Sequence, residues 1–312
     1  MVDIVIVNWN SGGFLKKCVD SILIGATELI GKIIIIDNNS NDLSLATVPT
    51  HNKVLVIQNS ENLGFARACN QGFKTSTAPY VLLLNPDTRI EENTINNCLD
   101  FLKTNTEIDI LGCQLLNEDG TVSVSCARFP TPFGLLIDAT GLSKIAPGLF
   151  PPSILMTDWN HLQSRYVDQV MGAFMFMHKD IFKKLGYFDE RFFVYYEELD
   201  FSLRLAKAGG KTFYNSNIKV VHTGMGTTEA VKAYRLFLNL RSRLKYAKKN
   251  FSRLGYWVVF LSTFTIEFVS RLFFLAISGR FKEIKDLIKG YQLLVENKSP
   301  MAITPGVQGK IL

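Results

Sequence analysis

The chain has 312 residues, 47% of them hydrophobic, with 34 Lys and Arg against 28 Asp and Glu and a formal net charge of +6. That length supports a full core plus an appendage, and so small a charge excess argues against a protein that grips a nucleic-acid backbone along its length. Cys18, Cys69, Cys98, Cys113 and Cys126 form no CxxC pair and have no neighbouring His, which argues against a zinc site or a disulfide frame. An odd set of unpaired thiols favours a reducing compartment. In chain order, residues 4–7 form an apolar run that ends in Asn8-Trp9-Asn10-Ser11-Gly12-Gly13, and 33–36 end in Asp37-Asn38-Asn39-Ser40. Residues 54–57 give way to a polar stretch reaching Gly64, and 81–84 to Asn85-Pro86-Asp87-Thr88. Short apolar runs separated by helix-like stretches predict buried parallel strands in βαβ units. Open α/β sheets bind ligands at the carboxyl ends of such strands.

Helices are predicted where Leu15, Cys18, Val19, Ile22 and Leu23 recur at helical spacing, over 65–73, and over 91–103, the last opening with acids at the positive end of its dipole. A strand follows over 108–116, with Asp119-Gly120 as a hairpin turn. Residues 128–163 hold five prolines and three glycines, which predicts an irregular, substrate-facing loop region. Order resumes with a strand over 167–178, a helix over 179–185, a helix over 197–208 stopped by Gly209-Gly210, and a strand over 219–222.

From about residue 226 the chain turns basic and helical, with eight Lys or Arg and no acid between Lys232 and Arg253. In 254–278, Trp257, Val258, Leu261, Phe264, Phe268, Leu272 and Leu275 line a broad apolar face, and Thr263, Glu267, Ser270 and Arg271 a narrow polar stripe. Basic residues on both sides favour a helix lying in the cytoplasmic face of a membrane; a span, or packing on the preceding domain or a dimer partner, are the alternatives. The N-terminus opens directly on a strand without a basic n-region, so no signal peptide and a cytoplasmic location are expected.

Several residues carry candidate chemistry. Asp37 can accept from a base or a ribose, or merely cap an Asx-turn. Asp87 projects from a rigid strand end, where it can hold the divalent cation that neutralises a departing nucleotide diphosphate, or close a Pro-Asp turn. Glu197, Glu198 and Asp200 open a helix. Asp200 with Arg204 is a ready i,i+4 pair, which leaves Glu197 and Glu198 for general-base work or for helix electrostatics. His222 at a strand end is either a structural imidazole or a metal ligand. Gly172-Ala173 inside an apolar run suggests close approach of a ligand or a second backbone. Trp9 and Tyr195-Tyr196 offer stacking faces or core bulk. The absence of GxGxxG after the first strand and of GxxxxGK[ST] argues against dinucleotide-binding and P-loop enzymes.

In order, Val5-Ile6-Val7-Asn8-Trp9-Asn10, Ile36-Asp37-Asn38-Asn39-Ser40, Asn62-Leu63-Gly64-Phe65-Ala66 with Asn70 and Gly72, and the run 82–88 are followed by Met171-Gly172-Ala173-Phe174, Gly186-Tyr187-Phe188-Asp189-Glu190, Phe193-Val194-Tyr195-Tyr196-Glu197-Glu198-Leu199-Asp200 and His222. This series resembles the family 2 glycosyltransferases, in their bacterial rhamnosyltransferase-like branch, over about residues 1–225. The resemblance implies a GT-A fold (a Rossmann-like, mostly parallel α/β sheet flanked by helices) at 1–225 and a helical region for membrane association or dimerisation at 226–312. It implies a nucleotide-sugar donor, a divalent cation (Mg²⁺ or Mn²⁺), inversion at the anomeric carbon, and an acceptor hydroxyl on a lipid-linked or cell-surface glycan. The best donor expectation is dTDP-rhamnose; UDP-galactofuranose, UDP-glucose and UDP-GlcNAc are alternatives, as is a membrane protein that binds a nucleotide sugar without turnover.

By the same resemblance, Val7, Asn8, Trp9, Asn10, Asp37, Asn62, Gly64, Arg67, Asn70, Asn85, Asp87, Gly172 and Ala173 bind the nucleotide sugar. Asp87 and His222 hold the metal, and Glu198 is the base, with Glu197 or Asp200 as alternatives. The expected partners are the donor, the glycan acceptor, an anionic membrane surface and a second copy of the chain, with no nucleic acid. The chain departs from the family pattern in having Asn85 for the first acid of the metal motif and Glu198 for an Asp. Cys69 stands where many relatives carry Arg, so Arg67 or Arg128 would have to replace any phosphate contact from there.

Overall fold

All four apolar runs are strands, and their polar ends lie along one edge of one sheet. The computed structural model describes residues 1–25, 27–224 and 232–300. It divides into two units, Met1–Ala127 with Asn160–Glu190 and Glu197–Thr227, and Arg128–Trp159 with Arg191–Tyr196 and Thr228–Leu312. The expected boundary at 225/226 lies outside the described residues.

In the first unit β1 (Val2–Asn8), β2 (Ile30–Asp37), β3 (Val54–Gln58) and β4 (Tyr80–Leu84) run parallel in the order β3-β2-β1-β4. β1 and the Ile33–Ile36 run of β2 are buried on both faces, which is why these strands read as continuous apolar runs instead of alternating ones. Beyond β4 the sheet turns mixed. β10 (Phe174–His178) is antiparallel to β4 and to β6 (Ile110–Leu116), β6 is parallel to β11 (Thr212–His222), and β5 (Thr88–Ile90) and β8 (Arg165–Val167) are antiparallel to β11. A two-stranded sheet pairs β7 (Cys126–Ala127) with β9 (Gln169–Val170). The helices are α1 (Gly13–Ile24), α2 (Phe65–Thr75), α3 (Thr94–Thr104), α6 (Ile181–Leu185) and α7 (Glu197–Lys207). One core joins Ile4 and Ile6 of β1, Ile33 and Ile35 of β2, Leu82 and Leu84 of β4 and Phe174 and Phe176 of β10 to Leu15, Cys18 and Val19 of α1. All five cysteines are free and buried. This is the expected GT-A arrangement, with the helical C-terminal region following it.

At the amino end of β1, the buried Asp3 accepts from Ser76 Oγ at 3.0 Å and from the backbone N–H groups of Thr77, Ala78 and Lys32 at 2.6, 2.9 and 2.8 Å. It ties the approaches to β2 and β4 to the central strand.

Three local expectations change. Glu91 and Glu92 precede α3 instead of opening it, and Thr94 Oγ1 accepts from the Glu91 N–H. The expected strand over 167–178 is split: β8 ends at Val167, β9 covers Gln169–Val170 and β10 begins at Phe174, with Gly172 in the second gap packed against the Glu198 side chain. Residues 128–163 are not wholly irregular: α4 (Pro132–Thr140) and α5 (Leu142–Ile145) lie within them. Pro132 takes the first helical turn behind Thr131, whose hydroxyl accepts from Gly134 N–H, and Gly141 at φ +82° links the two helices. Proline here starts a helix instead of forbidding one.

The second unit adds α8 (Lys232–Asn250), α9 (Arg253–Ser262), α10 (Phe268–Ile277) and α11 (Lys282–Val295) to α4 and α5. A π-helical turn, Thr263–Glu267, joins α9 to α10, and Tyr291 OH donates to the Thr263 carbonyl at 3.0 Å. Within this unit Glu267 is buried between two guanidinium groups, Arg243 and Arg271. Burial pushes its carboxyl up, but Arg243 and then Arg271 outweigh that and hold it below the usual glutamate value. Leaving such a charge unpaired would cost about 3–5 kcal/mol, which binds α8 and α10 into one arrangement. Tyr195 and Tyr196 have φ +68° and +73°, a strained conformation for bulky residues, held by the burial of Tyr196 and by Ser242 Oγ donating to Val194 O at 2.7 Å.

Candidate active site

The loops after β1 and β2 turn through Asn10 and Asn39 at φ +51° and +63°, a region that asparagine tolerates better than other residues with a Cβ. Asn8 is their hub. Its amide donates to Asp37 Oδ1 at 2.7 Å, Ser44 Oγ at 2.9 Å and Ser40 Oγ at 3.1 Å, and its carbonyl oxygen accepts from Ser11 Oγ. Asp37 Oδ2 accepts from Ser40 N–H at 3.1 Å. Asp37 thus caps the chain three residues on, not two as in an Asx-turn, and each carboxylate oxygen keeps a lone pair for a further donor. Trp9 Nε1 and Asn10 Nδ2 are buried donors without a hydrogen-bond partner. Such groups are costly unless an acceptor meets them, so this strand end is built to receive an acceptor-rich molecule.

Asn62 Oδ1 accepts from Asn38 Nδ2 at 2.8 Å and from Gly64 N–H at 2.9 Å; Gly64, at φ +86°, then starts α2. The amide of buried Asn70 makes three bonds: it donates to Phe188 O at 2.9 Å and Glu190 Oε1 at 3.0 Å and accepts from Phe188 N–H at 3.0 Å. Asn70 thus clamps the 188–190 loop to α2. Arg67 is half exposed, 3.9 Å from Glu190, and Arg128 in the second unit pairs with Asp158 at 2.6 Å. Val7 is buried in register with Ile36 of β2. Ser11, Ser40 and Ser44 were not anticipated from sequence as partners of Asn8; the only sign of them was the density of Ser and Asn after each strand.

At the other side of β4, Asp87 Oδ1 lies 3.3 Å from His222 Nε2, each side chain about one-seventh exposed. The pairing of β5 with β11, His222 opposite Thr88, fixes this approach. Two ligands held at right angles about 2.1 Å from one small cation lie roughly 3 Å apart, so the observed separation fits a shared Mg²⁺ or Mn²⁺. Among the described residues no group of three or more His, Cys, Asp and Glu side chains could hold a metal. A two-ligand site suits cations that keep several waters and bind through substrate phosphates. Thr88 Oγ1, buried and unpartnered, lies next in sequence.

Asn85 N–H donates to Ala173 O at 3.1 Å, and next to Ala173 stands Gly172, where an added Cβ would lie 2.5 Å from Glu198 Oε1. Asp87 and Glu198 are therefore linked through one hydrogen bond and one van der Waals contact along the same sheet edge. Burial pushes the Glu198 carboxyl above the usual glutamate value; hydrogen bonds from the backbone N–H groups of Glu198 and Gly172 oppose that shift in part. A raised carboxyl is a stronger base, as proton abstraction requires. Glu197 is buried, and Asp200 is fully buried against Arg204 Nε at 3.1 Å, so Glu198 is the most open of the three acids. Cys69 is buried within the field of both Glu197 and Glu198. Gly172→Ala is expected to fold, to displace the Glu198 carboxylate, and to lower kcat at least about tenfold with little change in donor affinity, measured by steady-state kinetics beside calorimetry. Unchanged kcat would detach Gly172 from the positioning of Glu198.

A mixed sheet with polar loops along its carboxyl edge, and with an Asp–His pair and a buried carboxylate at that edge, is an α/β fold with an enzyme-like constellation. The sequence profile of Glycosyl transferase family 2 matches residues 3–186, and the chain belongs to that family. It is 24% identical over 273 residues to the N-acetylglucosaminyl-diphospho-decaprenol L-rhamnosyltransferase of Mycobacterium tuberculosis, covering 82% of this chain and 86% of that protein. The low-salt glycan biosynthesis hexosyltransferase Agl10 of Haloferax volcanii is 25% identical over 257 residues, covering 81% and 77%. Among solved structures, the mannosyltransferase PcManGT of Pyrobaculum calidifontis, in complex with GDP-Man and Mn²⁺, superposes with a TM-score of 0.56 at 12% identity over 96% of this chain and 88% of its own. GalNAc-T7 with UDP, GalNAc and Mn²⁺ gives 0.52 at 15% identity, over 80% of this chain and about half of its own (51%).

Proposed function

We propose that this glycosyltransferase moves L-rhamnose from dTDP-rhamnose to a hydroxyl of a lipid-linked glycan, with inversion, on the cytoplasmic face of a membrane. The observation that carries the chemistry is the Asp87–His222 pair and Glu198 on one sheet edge, tied through Asn85, Ala173 and Gly172. The loops holding Asn8, Trp9, Asn10 and Asp37 would take the nucleotide, with Trp9 Nε1 and Asn10 Nδ2 meeting its acceptors. Asp87 and His222 would hold a divalent cation, whose charge, when bound, offsets that of the departing diphosphate. Glu198 takes the proton from the acceptor hydroxyl, and Gly172 leaves room for that carboxylate. A single base acting opposite a departing diphosphate supports displacement in one step with inversion. The rhamnosyltransferase relative supports the sugar and the lipid-linked acceptor; the hexosyltransferase relative makes a UDP-hexose the second reading.

A panel of nucleotide sugars with Mn²⁺, read by thermal shift and then by donor hydrolysis, tests this. The expected result is stabilisation and slow hydrolysis with dTDP-rhamnose above the UDP-sugars, abolished by EDTA. Preference for a UDP-sugar would replace the donor, and hydrolysis of none would remove the transferase reading of this edge.

A further inference from the structure

The helix Arg253–Ile277 buries its polar stripe and leaves much of its apolar surface outward, although Phe264, Phe268, Leu272 and Leu275 also pack inward within the second unit. Its inward stripe carries Ser262, Thr263, Glu267 and Ser270, the last donating to Ala139 O at 2.6 Å. Its outward side chains are Trp257, Leu261, Val269, Phe273 and Ile277, between 46% and 64% exposed. Most residues of its apolar stretch are not buried, and Phe268, Leu272 and Leu275 of α10, which pack inward, are only partly so. At 25 residues it is roughly 37 Å long, enough to cross a bilayer. Yet α4, α8 and α11 pack along its inward side, and α8 and α11 are rich in Lys and Arg, so a crossing would drag those charges into hydrocarbon. Lying flat leaves them in the headgroup layer.

A second element joins it. At the end of α5 and just beyond it the chain exposes Ile145 (69%) and Leu149 (80%), and Lys144 of α5 places its Nζ 5.9 Å from the ring centroid of Phe274 on α10. Among the described residues Lys144 forms no ion pair; burial and then Arg271 lower its pKa, while Glu267 and Asp138 act on it in the opposite sense. Two segments more than a hundred residues apart therefore present apolar side chains around a shared cationic spot.

We propose that Ile145 and Leu149, together with the outward face of α9–α10, form one surface that lies in an anionic bilayer, with Lys144 meeting lipid phosphates. This deepens the expectation of membrane association but not the assignment of Asp87 and Glu198. Charge selects the bilayer over a second copy. Arg253 marks one end of the helix, and Arg280, Lys282, Lys285 and Lys289 follow the other, so an antiparallel pair would set cation against cation whereas anionic headgroups complement both ends. The segment expected from sequence to face substrate thus takes a membrane role.

Flotation of the full chain with phosphatidylcholine vesicles, with and without phosphatidylglycerol, tests the surface, alongside quenching of tryptophan fluorescence by bromine-labelled acyl chains. Binding is expected only with phosphatidylglycerol, with quenching that Trp257→Phe removes. Phe273→Ser with Ile277→Ser is expected to lower the vesicle partition at least about tenfold, and Ile145→Ser with Leu149→Ser or Lys144→Glu several-fold. All four side-chain deletions are at exposed positions, so circular dichroism should stay unchanged, and donor hydrolysis in solution should persist. Absence of binding to phosphatidylglycerol vesicles, a stable dimer that Phe273→Ser dissociates, or full binding by the Ile145/Leu149 variant would overturn the proposal. Loss of donor hydrolysis in the wild type would strike the transferase reading and leave this one standing.

Discussion

Glu198→Gln should lower kcat by about 10²–10⁴-fold, while donor affinity measured by calorimetry stays within about a factor of two. The substitution keeps the shape of the side chain and its backbone hydrogen bonds but removes the basic lone pair. Among the described residues Glu198 forms no ion pair, so little else there depends on its charge; Asp200, by contrast, is locked to Arg204. The same carboxyl sets the acid limb of the pH profile. A base must be deprotonated to act, so activity falls as pH drops through its pKa. Burial raises that pKa, which places the limb of kcat/KM above the usual glutamate range. In Glu198→Gln the residual rate should lose this limb. A variant with full turnover would return the base role to Glu197 or Asp200.

Asp87→Ala should abolish the part of donor binding that depends on Mg²⁺ or Mn²⁺. With one carboxylate gone, His222 is the only side chain left in the pair, and a lone imidazole is a poor site for a hard cation. The expected loss is at least about a hundredfold in donor affinity with cation present and almost none in EDTA, read by calorimetry in both buffers. Asp87 sits at a strand end, its own backbone carbonyl accepting from Thr223 N–H at 3.0 Å, so the fold should survive. Equal affinity in wild type and variant with Mg²⁺ present would remove Asp87 from the metal site.

β1, β4 and the Ile33–Ile36 run of β2 were legible because strands buried on both faces are apolar throughout, whereas the half-exposed edge strand β3 was legible from its apolar run alone. The polar loops after β1, β2 and β3 were legible for the complementary reason that left-handed backbone favours Asn and Gly, here Asn10, Asn39 and Gly64. What stayed hidden depended on partners far away in the chain. Asn70 could not be told from a ligand contact, since its partners at Phe188 and Glu190 are about 120 residues away. The meaning of Gly172 needed Glu198 beside it. Proline content concealed α4, because a proline at the first helical turn and one inside a loop read alike without the Thr131 cap. The amphipathic stripe of 254–278 was visible, but periodicity alone does not say which face points inward. Arg243 on α8, by pairing with Glu267, turns the polar stripe into the buried one.

Diffraction from crystals grown with Mn²⁺ and a nucleoside diphosphate, recorded for anomalous scattering, bears most directly on the idea that one edge of the sheet carries both halves of the reaction. A manganese peak bound by Asp87 and His222, with the diphosphate upon it and the Glu198 carboxylate open to the same space, is the predicted result. A peak elsewhere, or a diphosphate seated where Glu198 has no access to it, would contradict it.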